Sequence, residues 1–149
     1  MINDNLKLRG DVAIVLKDKN GNVKESREIN NLVVTAGLTY ICSRMSAASA
    51  AVMSHMAVGS STTAAAAGQT DLVSILGSRE VLDSATASAN TIAYVSSFEA
   101  GEGTGAVTEA GIFNAASSGT MLCRTVFAVV NKGADDTMSI TWTITLTAS

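Results

Sequence analysis

The chain has 149 residues; 47% of them are apolar, 15% are charged, and the formal net charge is −3. This length suits a single domain with a buried core, and no apolar run is long enough to predict a membrane-spanning helix. The acidic balance and the absence of a stripe of Lys and Arg argue against nucleic-acid binding. The first ten residues lack the basic-then-apolar layout of a secretory signal, so we expect a protein made and assembled in a cytosol, without a membrane partner.

Charged side chains are concentrated near the beginning of the chain. Residues 1–31 contain 11 of the 23 charged residues, and the remaining 118 residues contain only 12. A free monomer usually keeps itself soluble with mixed surface charge, whereas the centres of protein interfaces are depleted of charge. The distribution therefore favours a subunit of an assembly; the alternative is a small monomer rich in Ser, Thr and Ala.

The first predicted element is a strand over residues 6–17, because apolar residues recur there at even spacing. Asn20-Gly21 is typical of a tight hairpin turn, and the returning segment is polar on both faces. A two-residue turn would place Leu16 opposite Glu25 and Ile14 opposite Arg27. This register predicts a solvent-exposed hairpin at an edge of the sheet.

The N-terminal region thus divides into two predicted parts. Residues 8–30 form the charged hairpin, and residues 1–7 form an arm in which apolar Ile2 and Leu6 stand among polar residues. We predict that Ile2 and Leu6 contact a partner.

The pattern then changes to that of a short helix near residues 35–46. Thr35 is the predicted N-cap, and one apolar face recurs at helical spacing. That face consists of Leu38, Ile41, Cys42 and Met45. Residues 54–59 predict a short strand, residues 60–70 a surface loop of small residues, and residues 72–76 a helical turn.

From residue 78 onward the sequence predicts only strands and turns. The predicted strands cover residues 78–86, 90–98, 106–115, 120–130 and 137–147. With the earlier elements the total is about eight strands, which is typical of an all-β antiparallel sandwich of jelly-roll or Greek-key type. We expect residues 1–149 to form this single domain. The predicted core includes Phe113, Phe127, Ile140, Trp142 and Ile144.

The last strand alternates without a break. Its apolar side points to the predicted core, and its other side carries Thr141, Thr143 and Thr145 without any charge. Hydroxyls can pair across strands and meet another subunit without the desolvation cost of a charge, so these threonines are candidate partner contacts. The alternative is a threonine ladder exposed to solvent, since Thr suits strands in general.

The residues that most often carry chemistry do not form a recognisable motif. Cys42 and Cys123 lie far apart, so two buried thiols are the favoured interpretation, with a bridge between them left open. His55, the only histidine, shows neither a nucleophile motif with a cysteine nor a zinc-ligand spacing. We predict no catalytic residue, cofactor or metal. A small β-sandwich hydrolase or lyase is the least favoured alternative.

The glycine-rich run at residues 101–105 predicts a connector, because no lysine is near and a strand follows. Glu99 and Glu102 near it are expected to be solvated. Asp135 and Asp136 lack the acidic pattern of a calcium loop and are predicted to be turn residues.

Glu109 differs from the other acids because it stands inside a weakly polar strand. We expect its carboxylate to bond backbone groups or Arg124 across a sheet.

Three stretches together resemble a group of tailed-bacteriophage virion proteins. They are NLVVTAGLTYICSRM (31–45), MSHMAVGSSTTAAAAGQTDL (53–72) and EAGIFNAASSGTMLCRTVFAVVNKGADDTMSITWTITL (109–146). The shared features are an N-L-V-V-T-x-G entry, an M-A-V-G-S/T-x-T-T loop, an E-A-G-I-F strand and a closing W-T-I strand. The resemblance covers most of residues 30–146, and the N-terminal 30 residues match least.

Within that group the chain is most similar to the jelly-roll cement, or decoration, proteins that coat icosahedral heads. The resemblance implies a virion protein that binds the major capsid protein as a homodimer or homotrimer and clamps neighbouring capsid subunits. It implies no catalytic residues. Similar strands occur in tail-fibre and baseplate-associated proteins, so a place in the tail is the alternative.

Overall fold

Two antiparallel five-stranded sheets and one helix make up the fold in the computed structural model, which describes residues 5–46 and 50–148. Sheet A consists of β1 (Leu6–Lys17), β2 (Val23–Asn30), β6 (Ser84–Ser88), β7 (Thr91–Phe98) and β10 (Thr137–Ala148). Sheet B consists of β3 (Leu32–Val33), β4 (His55–Gly59), β5 (Glu80–Val81), β8 (Gly105–Phe113) and β9 (Met121–Lys132). The helix, α1, is Thr35–Arg44. The all-β prediction is confirmed, but the described residues form ten strands and not eight.

The core lies between the two sheets. Sheet A has the strand order β2-β1-β10-β7-β6, and sheet B has the order β3-β9-β8-β4-β5. Alternate residues of β1, β10 and β7 point inward, so Val12, Trp142 and Tyr94 stand side by side at the centre of sheet A. The five predicted core residues lie as follows: Phe113, Ile140 and Trp142 are fully buried, Ile144 is 2% exposed, and Phe127 is 8% exposed.

The N-terminal hairpin has the predicted register but a different turn. Leu16 stands opposite Glu25, and Ile14 stands opposite Arg27. The turn is longer than two residues, because the Gly21 N–H bonds the Asp18 carbonyl and the register shifts by one residue after Leu16. Gly21 has a φ of +83°, which glycine adopts without a steric cost.

The hairpin is also more deeply embedded than predicted. β2 is the edge strand, but β1 lies inside sheet A between β2 and β10. The predicted arm over residues 1–7 overlaps the sheet, because β1 begins at Leu6 and Leu6 pairs with Ala148. Ile2 lies outside the described residues.

The predicted strand over residues 78–86 is wrong, because the chain there passes from one sheet to the other. β5 pairs with β4 in sheet B, whereas β6 pairs with β7 in sheet A. Leu82 packs against the core and its N–H bonds the carbonyl of Ser54, while the Asp83 N–H bonds the carbonyl of Val95. The two bonds turn the chain across the side of the sandwich.

The predicted helical turn at residues 72–76 is also wrong. Ile75 forms an isolated antiparallel bridge with Gly59, and the Leu76 N–H bonds the Val58 carbonyl. The segment is therefore extended along β4.

The helix is present, but a different face of it is buried. Gly37 packs on β9 so closely that a Cβ atom there would collide with the Leu122 carbonyl. This approach turns Tyr40 and Ile41 toward the core and leaves Leu38 47% and Met45 85% exposed. Thr35 does not cap the helix, because Val34 occupies the N-cap position without a side-chain hydrogen bond.

The same rotation decides the state of the two cysteines. Cys42 is exposed on the outside of α1, whereas Cys123 is buried in β9, and both are free. The expectation of two buried thiols is therefore wrong for Cys42. Burial raises the pKa of the Cys123 thiol well above its ordinary value.

Candidate interaction face

The outer faces of the two sheets differ in how they are covered. In sheet B, seven consecutive residues of β8 are buried, so this sheet has no side open to solvent along that strand. Helix α1 packs on β9, and the segment 60–79 covers the rest of the sheet through contacts with β8 and β9. In sheet A, β10 alternates between buried and half-buried residues. Among the described residues, sheet A is therefore the sheet whose outer surface is left open.

Glu109 and Arg124 form the ion pair that holds the segment 60–79 on sheet B. Both side chains are fully buried, and Arg124 Nε and Nη2 lie 2.9 and 2.8 Å from Glu109 Oε2. The carboxylate also accepts the backbone N–H groups of Ser61, Val73 and Ser74 at 3.3, 3.1 and 2.7 Å. The expectation that Glu109 bonds backbone groups or Arg124 is met by both.

The remaining donors of Arg124 complete this network. Arg124 Nη1 donates to Gln69 Oε1 at 2.9 Å, and Nη2 donates to the Thr63 carbonyl at 3.0 Å. A buried charge is tolerated when it is paired and its hydrogen-bonding capacity is used. Five hydrogen bonds reach the Glu109 carboxylate, so its hydrogen-bonding capacity is used within the fold. The network acts as a structural clamp.

The other predicted polar residues take local structural positions. Glu102 accepts the Glu99 backbone N–H at 2.8 Å within the connector before β8. His55 Nδ1 lies 2.8 Å from the hydroxyl of its neighbour Ser54. Across residues 5–46 and 50–148, no three His, Cys, Asp or Glu side chains come together in a way that could hold a metal ion.

Asp136 shapes the turn before β10, as expected of a turn residue. Its Oδ2 accepts Lys24 Nζ and the Gly133 N–H, each at 2.7 Å. These bonds, above all the one from Lys24, hold the pKa of Asp136 below its ordinary value of 3.8. Lys132 lies beside this turn, and its Nζ donates to the carbonyls of Glu99 and Asp136. Burial lowers the pKa of Lys132.

We expect Asp136→Asn to be less stable than the wild type at neutral pH and to lose less stability on acidification. A carboxylate with a lowered folded pKa stabilises the protein at pH values above its ordinary pKa, and this contribution disappears as the pH falls through the folded value. Chemical unfolding between about pH 7 and pH 2 measures the difference. The matched control is Asp135→Asn, which removes the same charge from an exposed neighbour. Parallel pH profiles for Asp136→Asn and the wild type would contradict the expectation.

The outer face of sheet A carries only uncharged side chains of small or medium size along β10, β7 and β6. Residues opposite each other in register share a face, so the buried positions of Ile140 and Trp142 place their neighbours outward. We call this surface the uncharged face. Its members are Ser84, Thr86, Ser88, Thr91, Ala93, Val95, Ser97, Ser139, Thr141, Thr143 and Thr145.

Charged residues border the uncharged face on the β1 side. Arg9, Asp11 and Glu28 lie around a shallow depression of about 470 Å³, which Thr141 and Thr143 also line. Arg9 Nε donates to Asp11 Oδ1 at 3.0 Å within this border. A partner that covers the uncharged face would meet charge on this flank, which can set its orientation without placing charge at the centre of the contact.

The structure brings together only part of the predicted contact set. Thr141, Thr143 and Thr145 form the row of the uncharged face that lies on β10, next to the charged border on β1. Leu6 is 69% exposed but points to the opposite side of sheet A, because it shares its face with Leu8 and the buried Val12. Leu6 and the three threonines therefore cannot form one contact surface.

Sequence reasoning missed the contributions of β6 and β7 to this face. In β7, Ala93 and Val95 alternate with Ile92 and Tyr94, and this alternation carries the same information as the pattern in β10. In β6 every residue is exposed and the side opposite the hydroxyl residues carries only Ala85 and Ala87, so the alternation gives a weak signal.

Comparisons with known proteins leave the family open. No helix among the described residues is both long enough and apolar enough to cross a membrane. A scan against protein-family models, a search of curated proteins and a search of solved structures found no match to this chain.

Proposed function

We propose that this chain is a structural subunit of a tailed-phage particle, and specifically a cement protein that binds the major capsid protein through the uncharged face. The observation that supports this proposal most directly is that β10, β7 and β6 contain no charged residue, on the sheet surface that the described residues leave open. The resemblance of residues 30–146 to virion proteins supports the phage particle as the place of action. We extend the proposal to the fold, as a jelly-roll sandwich of the kind found in that group.

The dimensions of the uncharged face suit a protein contact of moderate strength. Three strands about 4.8 Å apart with eight residues of about 3.3 Å each give a strip of roughly 14 by 26 Å. This area is below that of a standard stable interface, which buries about 800 Å² on each partner. A subunit that reaches several neighbours in a lattice gains strength from multivalency, and a cement protein works in this way.

Copy number in purified particles tests the proposal and separates it from the alternative. The protein would be quantified by mass spectrometry against the major capsid protein. A simple ratio to the capsid subunit, corresponding to hundreds of copies, supports a cement protein. A few to some tens of copies would place the chain in the tail, baseplate or fibres. Its absence from the particle would overturn both structural proposals.

We expect Ala93→Lys to weaken binding to isolated capsids at least about tenfold, which corresponds to about 1.4 kcal/mol. Ala93 lies on β7 in the middle of the uncharged face, between Thr143 of β10 and Thr86 of β6, so the ammonium group would be desolvated in the contact without a partner. The measurement is co-sedimentation with undecorated heads over a range of protein concentrations.

Thr39→Lys is the matched control, because Thr39 is exposed on α1, away from sheet A. It adds the same charge and should leave binding unchanged. Equal binding by both variants, with unchanged melting temperatures, would show that the uncharged face does not meet the capsid.

A further inference from the structure

The strand β6 leaves an open sheet edge of an unusual kind. All five of its residues, Ser84 to Ser88, are exposed and uncharged. The other edge of sheet A, β2, carries four charged residues, and both edges of sheet B are strands of only two residues. Charge and shortness are the usual protections of an edge against strand addition. Among the described strands, β6 is the sheet edge that lacks both.

The hairpin of β6 and β7 determines which backbone groups point outward. Ser88 and Thr91 flank the two-residue turn Ala89–Asn90, so they form a hydrogen-bonded pair, and such pairs recur at every second residue. Ser84, Thr86 and Ser88 therefore direct their N–H and carbonyl groups toward β7. The groups of Ala85 and Ala87 point away from the sheet, and no other described strand pairs with that edge.

We propose that two copies of this chain join by antiparallel pairing of β6 with β6, about a two-fold axis at Thr86. In this register Ala85 of each copy faces Ala87 of the other, and their outward groups form four backbone hydrogen bonds. Ser84 faces Ser88, and Thr86 faces its own counterpart. All facing side chains are small and uncharged, so the pairing desolvates no charge and brings no like charges together. An isologous contact of this type closes as a dimer and not as a trimer.

The dimer would join two five-stranded sheets into one sheet of ten strands. The two uncharged faces would then lie side by side on one surface. Val81 is 67% exposed and lies three residues before β6, in β5 at the edge of sheet B. It adds an apolar group on the side of the sandwich where β6 lies. This inference rests on strand register and exposure alone, so it stands or fails independently of the proposed function.

Five paired residues bury much less than a standard interface, so we expect a weak dimer that a covalent trap will detect. The trap is a single cysteine at residue 86 in a Cys42→Ser background, because Cys42 is exposed. In the proposed register the two residues 86 form a non-hydrogen-bonded pair with Cα atoms about 4.5 Å apart, within the range of a disulfide. The full-length protein is incubated with oxidised glutathione, and dimer formation is followed on non-reducing gels.

Ser88→Cys in the same background is the matched control. It is equally exposed on the same strand, but in the proposed dimer it lies about 13 Å from its own counterpart. We expect Thr86→Cys to form the covalent dimer at least tenfold faster than Ser88→Cys. The double variant Ser84→Cys/Ser88→Cys should also dimerise fast, because residues 84 and 88 of the two copies face each other.

Two results of the cysteine experiment would overturn the inference. Equal rates for Thr86→Cys and Ser88→Cys would indicate random collision, and faster dimerisation of Ser88→Cys would indicate another register.

Thr86→Lys gives a second, non-covalent measurement. It places two positive charges on the axis, so concentration-dependent association in sedimentation experiments should disappear while the melting temperature stays the same. Association that persists in Thr86→Lys would locate the dimer contact elsewhere.

Discussion

Trp142→Ala should lower the free energy of unfolding by about 3–5 kcal/mol, which is the usual cost of truncating a large buried aromatic residue. Trp142 is fully buried at the centre of β10, between Val12 of β1 and Tyr94 of β7. Its loss leaves a cavity between the two sheets that neighbouring strands cannot fill without moving. Equilibrium unfolding in urea, followed by circular dichroism, measures the difference.

Trp142→Phe provides the graded control. The indole N–H of Trp142 has no hydrogen-bond partner among the described residues, so phenylalanine removes a buried unsatisfied donor together with part of the ring. We expect this variant to lose clearly less stability than Trp142→Ala. If Trp142→Ala melted like the wild type, the side chain would have to lie outside the core.

Arg124→Met should lower the free energy of unfolding by about 3–5 kcal/mol, because it leaves the carboxylate of Glu109 buried without its counter-charge. The variant also releases Gln69 and Thr63, which Arg124 holds at 2.9 and 3.0 Å. We therefore expect a local effect in addition to the global one. Amide hydrogen exchange should become faster in residues 60–76, which Glu109 and Arg124 hold on sheet B.

Arg9→Met is the matched control for this substitution. Arg9 also pairs with a carboxylate, that of Asp11, but the two side chains are 71% and 42% exposed. Exposed pairs contribute about 0–1 kcal/mol, so this variant should be nearly neutral. The double variant Arg124→Met/Glu109→Leu should cost less than the sum of its single variants, because it removes both buried charges. Equal and small effects of Arg9→Met and Arg124→Met would show that the buried pair is not a clamp.

Much of sheet A could be predicted because its pattern is local. A strand with one buried face must alternate, and β1 and β10, each of 12 residues, show this alternation over most of their length. The predicted hairpin register holds from Leu16 onward because the shift of one residue after Leu16 compensates for the longer turn. Glu109 was recognisable as a structural acid because a charge inside a weakly polar strand needs partners.

The remaining features depend on contacts between distant parts of the chain. Residues 78–86 are divided between two sheets because the Leu82 N–H bonds Ser54, next to β4 of sheet B, whereas the Asp83 N–H bonds Val95 of β7 in sheet A. The rotation of α1 depends on the fit of Gly37 against β9, about 85 residues later in the chain. Neither contact produces a periodic pattern of apolar residues in the sequence.

The sequence by itself determined that the chain forms antiparallel strands with one uncharged threonine row, because side-chain alternation follows from the pleat of each strand. Only the tertiary structure decided that this row stays open while the outer face of sheet B is covered. The covering depends on the segment 60–79, whose position is set by the buried pair of Glu109 and Arg124. The tertiary structure likewise leaves the β6 edge open. Because β6 pairs only with β7, the backbone N–H and carbonyl groups of Ala85 and Ala87 point away from the sheet.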